Sequence, residues 1–133
     1  MTEQELVERA FGMLERAYAP YSGFPVGAAL LCADGTVFTG CNVENAAYGS
    51  TVCAERVAAL KAVSEGHRTD WEMLAVAGTG RDFCWPCGPC RQVLYEFCPQ
   101  LIVLCANGER AFRRASLSQL LPRAFGPNQL SQR

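Results

Sequence analysis

The chain has 133 residues, half of them apolar, with a formal net charge of −1 and a sequence pI near 5.8. That length suits one domain over 1–133, with a sizeable core and apolar area to spare for a subunit interface. No Lys/Arg run stands out and no apolar run is long enough to span a bilayer, so neither nucleic acid nor membrane is an expected partner. Eight cysteines would suggest disulfides in a small secreted protein, yet Met1–Glu5 carries acidic charge where a signal peptide needs basic charge. The expected compartment is therefore a reducing cytoplasm, with cysteines serving metal binding and packing.

In chain order, Glu3 to Ala19 reads as a helix: Leu6, Val7, Ala10, Phe11, Leu14, Ala17 and Tyr18 recur at helical spacing, and Pro20 supplies the stop. Phe24 to Ala33 is strand-like, Asp34-Gly35 signals a hairpin, and Thr36 to Asn42 returns. Pro25 cannot donate to a ladder, which puts the strand entry at an edge or a rim. Gly27 and its alanine neighbours leave room for a second backbone or a ligand, with tight sheet packing the simpler explanation. The polar segment Asn42-Val43-Glu44-Asn45-Ala46-Ala47-Tyr48 follows, and Asn42 and Glu44 face the same side of an extended chain.

A second helix is predicted from about Val52 to Glu65, with Val52, Ala59, Leu60 and Val63 on its buried face and Gly66 as its stop. His67, the only histidine, reads as exposed and structurally neutral. Met73–Gly78 is a strand buried on both faces, a third helix runs from the second cysteine motif to about Cys98, and Leu101–Ala106 is another buried strand. Asn107-Gly108 signals a hairpin into a polar edge strand, Glu109–Ala115, which carries the doublet Arg113-Arg114. Ser116 to Gln119 is a capping box for a short helix ending at Pro122. The tail is mostly polar, with Phe125 as its one aromatic. This order predicts an α/β fold, a three-layer α-β-α arrangement around a mixed five-stranded sheet.

Two stretches carry the chemistry. Cys53-Ala54-Glu55-Arg56 and Cys87-Gly88-Pro89-Cys90 each open a predicted helix, where exposed N–H groups and the positive dipole end favour thiolates. Three sulfurs on one zinc ion leave the fourth tetrahedral position for water. Glu55, two residues beyond Cys53, is placed to move that water's proton. Three thiolates give zinc a formal charge of −1 and weaken its pull on water. Arg56 is expected to offset this by donating to a ligand sulfur, with Gln92 adding another donor. Cys84 leaves open a closed four-sulfur site with Cys53, Cys87 and Cys90, structural and inert. Cys32, Cys41, Cys98 and Cys105 read as small core hydrophobes.

Cys-Ala-Glu alone is a weak signal and Cys-x-x-Cys a moderate one. With Pro86 ahead of the pair, the combination matches the zinc deaminase signature. Over almost its full length the chain resembles the small, homotetrameric zinc-dependent cytidine deaminases. The resemblance rests on Ala19-Pro20-Tyr21-Ser22, Phe24-Pro25-Val26-Gly27-Ala28-Ala29-Leu30, Gly40-Cys41-Asn42-Val43-Glu44-Asn45-Ala46, Cys53-Ala54-Glu55-Arg56, Pro86-Cys87-Gly88-Pro89-Cys90-Arg91-Gln92-Val93, and the C-terminal Leu120-Leu121-Pro122 and Phe125-Gly126-Pro127.

The resemblance implies one zinc per chain on Cys53, Cys87 and Cys90, with Glu55 as proton shuttle while hydroxide attacks C4 of the base. It implies that Asn42 and Glu44, with Val43 between them, bind the ribose 3′-hydroxyl, that Phe24 packs on the pyrimidine and that the Ala54 backbone contacts the base. Ala46, Tyr48 and Phe125 would reach a neighbouring subunit's pocket in a homotetramer. The implied reaction is hydrolytic deamination of free cytidine and deoxycytidine, a step of pyrimidine salvage. Trp85, Pro89 and Ser50 depart from the usual pattern at the pocket rim. A blasticidin-type or nucleotide deaminase shares the metal signature, and a four-cysteine zinc protein without catalysis is the reading from another class. A polynucleotide editor would want basic and aromatic surface that the chain lacks.

Overall fold

The computed structural model describes residues 1–131. Its strands are β1 (Val26–Cys32), β2 (Val37–Cys41), β3 (Trp71–Gly78), β4 (Ile102–Ala106) and β5 (Phe112–Ser116). The helices are α1 (Glu3–Phe11), α2 (Ala54–Ser64), α3 (Gly88–Phe97), α4 (Leu117–Leu120) and α5 (Pro127–Ser131). The strands form one mixed five-stranded sheet in the order β2-β1-β3-β4-β5. The two hairpins are antiparallel, and β3 and β4, joined through α3, are parallel, as the connections require. One connection differs from a simple neighbour-to-neighbour path: α2 carries the chain from β2 over β1 to β3, which pairs antiparallel with β1.

Alternation along the strands divides the core into two layers. On one face Ala29, Ala75, Ala77, Leu104 and Ala106 meet Leu6, Val7, Ala10 and Phe11 of α1. On the other, Ala28, Leu30, Leu74, Val76, Val103 and Cys105 meet Ala54, Ala58, Ala59 and Ala62 of α2, Leu94 of α3 and Leu117 of α4. Each fully buried leucine on these faces contributes about 1.5–3 kcal/mol of transfer free energy. Alanines dominate the sheet face under α1 and the sheet-facing side of α2, so helix and sheet backbones approach closely. A Cβ at Gly27 would lie 2.0 Å from Ala10 O, so the room left there is taken by α1 and not by a ligand.

Several elements depart from the sequence expectation. The first helix stops at Phe11 and is followed by a 3-10 turn at Leu14–Arg16, well before Pro20. The reason is long-range: Tyr18 N donates to Asn42 O at 2.9 Å and Glu44 N donates to Tyr18 O at 2.8 Å. That pairing needs an extended chain where the apolar stripe suggested helix. Leu60 is 53 % exposed; the alanines, and not Leu60 and Val63, form the fully buried face of α2. The tail contains α5, whose start is fixed by Pro127 in its first turn and by Gly126 N donating to Gln129 Oε1 at 2.7 Å. The capping box at Ser116 and Gln119 forms as predicted.

Candidate active site

The site sits where α2 and α3 begin, on the same face of the sheet. Gly40 in β2 makes this possible: a Cβ there would lie 2.3 Å from Ala54 O and 2.7 Å from Ala58 N, so only glycine lets α2 start directly over the strand. Cys53 and Cys87 are the N-cap residues of α2 and α3, and neither side chain makes a capping hydrogen bond. Both sulfurs are therefore free to face each other. Pro89 stands in the first turn of α3, where its missing N–H costs no helical hydrogen bond. Its departure from the family pattern is thus locally compatible with the helix.

The Sγ atoms of Cys53, Cys87 and Cys90 all lie within 4.8 Å of one another, a group able to hold a metal ion. Cys53 and Cys87 are 3.8 Å apart and Cys87 and Cys90 3.3 Å. Cys84 is outside this group; it packs against the core, where burial pushes its thiol up to about 12. The closed four-sulfur arrangement is accordingly not formed.

The chemistry of the trio fits a divalent cation. Hydrogen bonds from Cys90, Arg56 and Cys87 pull Cys53 down to about 5, while Cys90, bonded to the Cys53 thiolate and buried, is pushed strongly up. One negative charge is comfortable among three touching sulfurs and further ones repel; a cation lifts that limit.

Arg56 reaches a sulfur of the group. Its Nη2 lies 3.5 Å from Cys53 Sγ and 3.4 Å from Thr51 O. Gln92 does not: its amide donates to the Phe125 carbonyl at 2.8 Å, and among the described residues no bond joins it to a sulfur. It ties α3 to the C-terminal segment instead. Glu55, on the first turn of α2, is only 4 % exposed. Burial, with the nearby Cys53 charge adding, raises its carboxyl from 4.5 to about 7. Such a group can hold or release a proton at neutral pH.

Asn42 and Glu44 do point to one loop. The Asn42 Oδ1 accepts from Val26 N and its Nδ2 donates to Phe24 O, both at 2.9 Å. Glu44 accepts from Tyr21 N at 2.9 Å, from Ser22 N at 3.1 Å and from the Ser22 hydroxyl. The Ser22 hydroxyl is the largest cause holding the Glu44 carboxyl below its usual range. Phe24 lies against Gly78 and Gly80, beside Cys84, and stays 43 % exposed. A cleft of about 360 Å³ is lined by Tyr21, Ser22, Glu44, Tyr48 and Thr51. Ala54 is buried at the start of α2, whereas Val43, Ala46, Tyr48 and Phe125 are exposed.

Sequence reasoning assigned no role to Ser22, Thr51 or Arg91. Arg91 fixes the approach to Cys87 by donating to Pro86 O at 2.7 Å and to Leu120 O at 2.8 Å. Its place between Cys90 and Gln92 was the available signal.

A three-layer fold that brings three sulfurs and a buried acid to two helix starts defines a zinc-dependent deaminase. Residues 1–106 match the family described as the cytidine and deoxycytidylate deaminase zinc-binding region, and the chain belongs to that family. Its relatives are more particular. The chain is 46 % identical over 132 residues to the cytidine deaminase of Sporosarcina psychrophila, covering 98 % of this chain and 96 % of that one. It is 48 % identical over 126 residues to the cytidine deaminase of Halalkalibacterium halodurans, covering 94 % and 95 %. The crystal structure of cytidine deaminase from Burkholderia pseudomallei superposes with a TM-score of 0.91 at 48 % identity, covering 94 % of this chain and all of that one.

Proposed function

We propose that this chain hydrolyses free cytidine and 2′-deoxycytidine to uridine and 2′-deoxyuridine with release of ammonia, serving pyrimidine salvage in the cytoplasm. The observation that carries the reading is Glu55, buried on the first turn of α2 beside the three-sulfur group. Cys53, Cys87 and Cys90 would hold one zinc ion. When bound, zinc supplies a Lewis acid that lowers the pKa of water towards ~7.

The rest is done by the chain. Glu55 accepts a proton on its carboxylate and delivers it to the ring nitrogen beside the amino-bearing carbon; a second transfer lets ammonia leave. Phe24 orients the pyrimidine by stacking, and the backbone at Ala54 holds the base edge. Asn42 and Glu44, with Val43 between them, take the sugar 3′-hydroxyl. The carboxylate of Glu44 favours a neutral sugar and repels a phosphate. Arg56 keeps Cys53 charged and holds it against Thr51.

Ala46, Tyr48 and Phe125 complete the pocket of a neighbouring subunit in a homotetramer. Support comes from Tyr48 at 74 % and Phe125 at 57 % exposure, which leaves both rings free to reach another chain. A hollow lined by Val43, Val52, Val57 and Leu60 offers further apolar area for self-association. No described helix is long and apolar enough to cross a membrane.

Purified protein should release ammonia from cytidine and deoxycytidine, stop when stripped by a chelator, and recover with zinc. Glu55→Ala should keep fold and zinc and lose turnover. Equal activity on CMP would overturn the nucleoside assignment, and a sedimentation mass other than four chains would overturn the tetramer.

A further inference from the structure

A second group of ligand-type side chains lies at the opposite end of β1, about 20 Å from Val26 along the strand. Cys32, His67 and Asp70 offer a sulfur, an imidazole nitrogen and a carboxylate oxygen that all fall within 4.8 Å of one another. They come from two places: the end of β1, and the short loop between α2 and β3 that carries both His67 and Asp70. The expectation that His67 is exposed and neutral is therefore not met. Its side chain is 23 % exposed, its Nδ1 is 2.8 Å from Asp70 Oδ2, and its ring tilts against Phe38 at 5.3 Å.

Backbone bonds hold the group in place. His67 N donates to Ala62 O at the end of α2, Ala33 N donates to Asp70 O, and Trp71 Nε1 donates to His67 O. A β-bulge between Leu31 and Cys32 sets the register beside Trp71, and Cys32 is fully buried. One observation points to a missing partner. Among the described residues Asp70 Oδ1 is buried without a hydrogen bond, which is costly for a carboxylate oxygen. Asp34 Oδ2 stands 3.8 Å from His67 Nε2 and adds a further carboxylate beside the same cluster.

We propose that Cys32, His67 and Asp70 form a second, non-catalytic site for a thiophilic divalent cation of the zinc type, with Asp34 on its open side. A sulfur–imidazole–carboxylate set suits zinc, while magnesium or calcium would want oxygen alone. Loading displaces to solvent the Cys32 thiol proton and the proton held between His67 Nδ1 and Asp70 Oδ2, so that the side-by-side imidazole and carboxylate exchange their hydrogen bond for the ion. The ion would pin the β1–β2 turn to the loop leaving α2.

The test is metal content of the full chain, stripped with a chelator, reloaded with excess zinc, desalted and measured by elemental mass spectrometry. Wild type should carry one equivalent more than His67→Gln and one more than Cys32→Ser, a difference that holds whether or not the Cys53 group is loaded. With cobalt, the sulfur-to-metal absorption band should lose intensity in Cys32→Ser. Should Cys32→Ser fail to fold, His67→Gln, at a partly exposed position, carries the test. Equal metal content in wild type and His67→Gln overturns the proposal. A fall in melting temperature without loss of metal overturns it too, because it marks the cluster as a hydrogen-bonded latch alone.

Discussion

Replacing Gly40 with alanine tests whether the close approach of α2 to β2 places the active site. The added Cβ would meet Ala54 O at 2.3 Å and Ala58 N at 2.7 Å, both backbone atoms that cannot swing aside. Ordinary contact needs roughly 1 Å more, so the start of α2, with Cys53 and Glu55, must withdraw by about that distance. Overpacking of this kind costs about 1–3 kcal/mol. With about 2.1 cal/mol/K of unfolding entropy per residue, that lowers the melting temperature by about 4–11 °C. The displacement should cost about 100-fold in kcat/KM for cytidine, since reacting groups lose alignment over such distances. Gly12→Ala is the control: its Cβ would make only an ordinary contact, 3.4 Å from Arg9 O. Circular dichroism melts and ammonia release measure both effects. A Gly40→Ala protein within about 2 °C and about twofold of wild type would refute the account of how α2 is positioned.

Arg56→Ala should retain zinc but lose about 10–100-fold in turnover, because the donor to Cys53 Sγ is gone; unchanged turnover would reject that role. Glu55 predicts a pH effect on the metal-free protein. Its folded pKa, about 7, lies above its ordinary 4.5, so the folded state binds the extra proton. Relative to Glu55→Gln, wild-type stability should be highest below pH 4.5 and fall by on the order of 3 kcal/mol as pH rises through 7; a flat difference in denaturant melts would contradict this. Ser22→Ala removes the hydroxyl that orients Glu44, and should raise KM for cytidine several-fold with kcat kept. An unchanged KM would separate Glu44 from sugar binding.

The two cysteine motifs were legible because they stand at helix starts. Cys53 and Cys87 are the N-cap residues of α2 and α3, so Glu55 and Arg56 follow within one turn, while the roles expected of them came from the motif and the family resemblance. The mixed sheet was equally readable from two hairpin signals and the helical crossovers. What escaped depends on partners far along the chain. Ala17 and Tyr18 keep helical spacing, yet Tyr18 is claimed by Asn42 and Glu44. Gln92 turned to the Phe125 carbonyl, 33 residues away. Leu60 looked like core because hydrophobicity does not say which apolar face meets the sheet; small alanines won, since they let α2 lie close. His67 looked idle because Cys32 and Asp34, which surround it, belong to another hairpin.

Two of the sulfurs, in Cys87 and Cys90, sit on one helical turn, whereas Cys53 stands 34 residues earlier in the chain. A nascent chain exposes Cys53 and α2 before the near pair exists, so the three donors meet only once α3 has wound and docked beside α2. Tight metal capture is then a late event, and the ion acts as an inspector of the finished architecture. Zinc uptake followed during refolding would time the docking of the two crossovers without any added label.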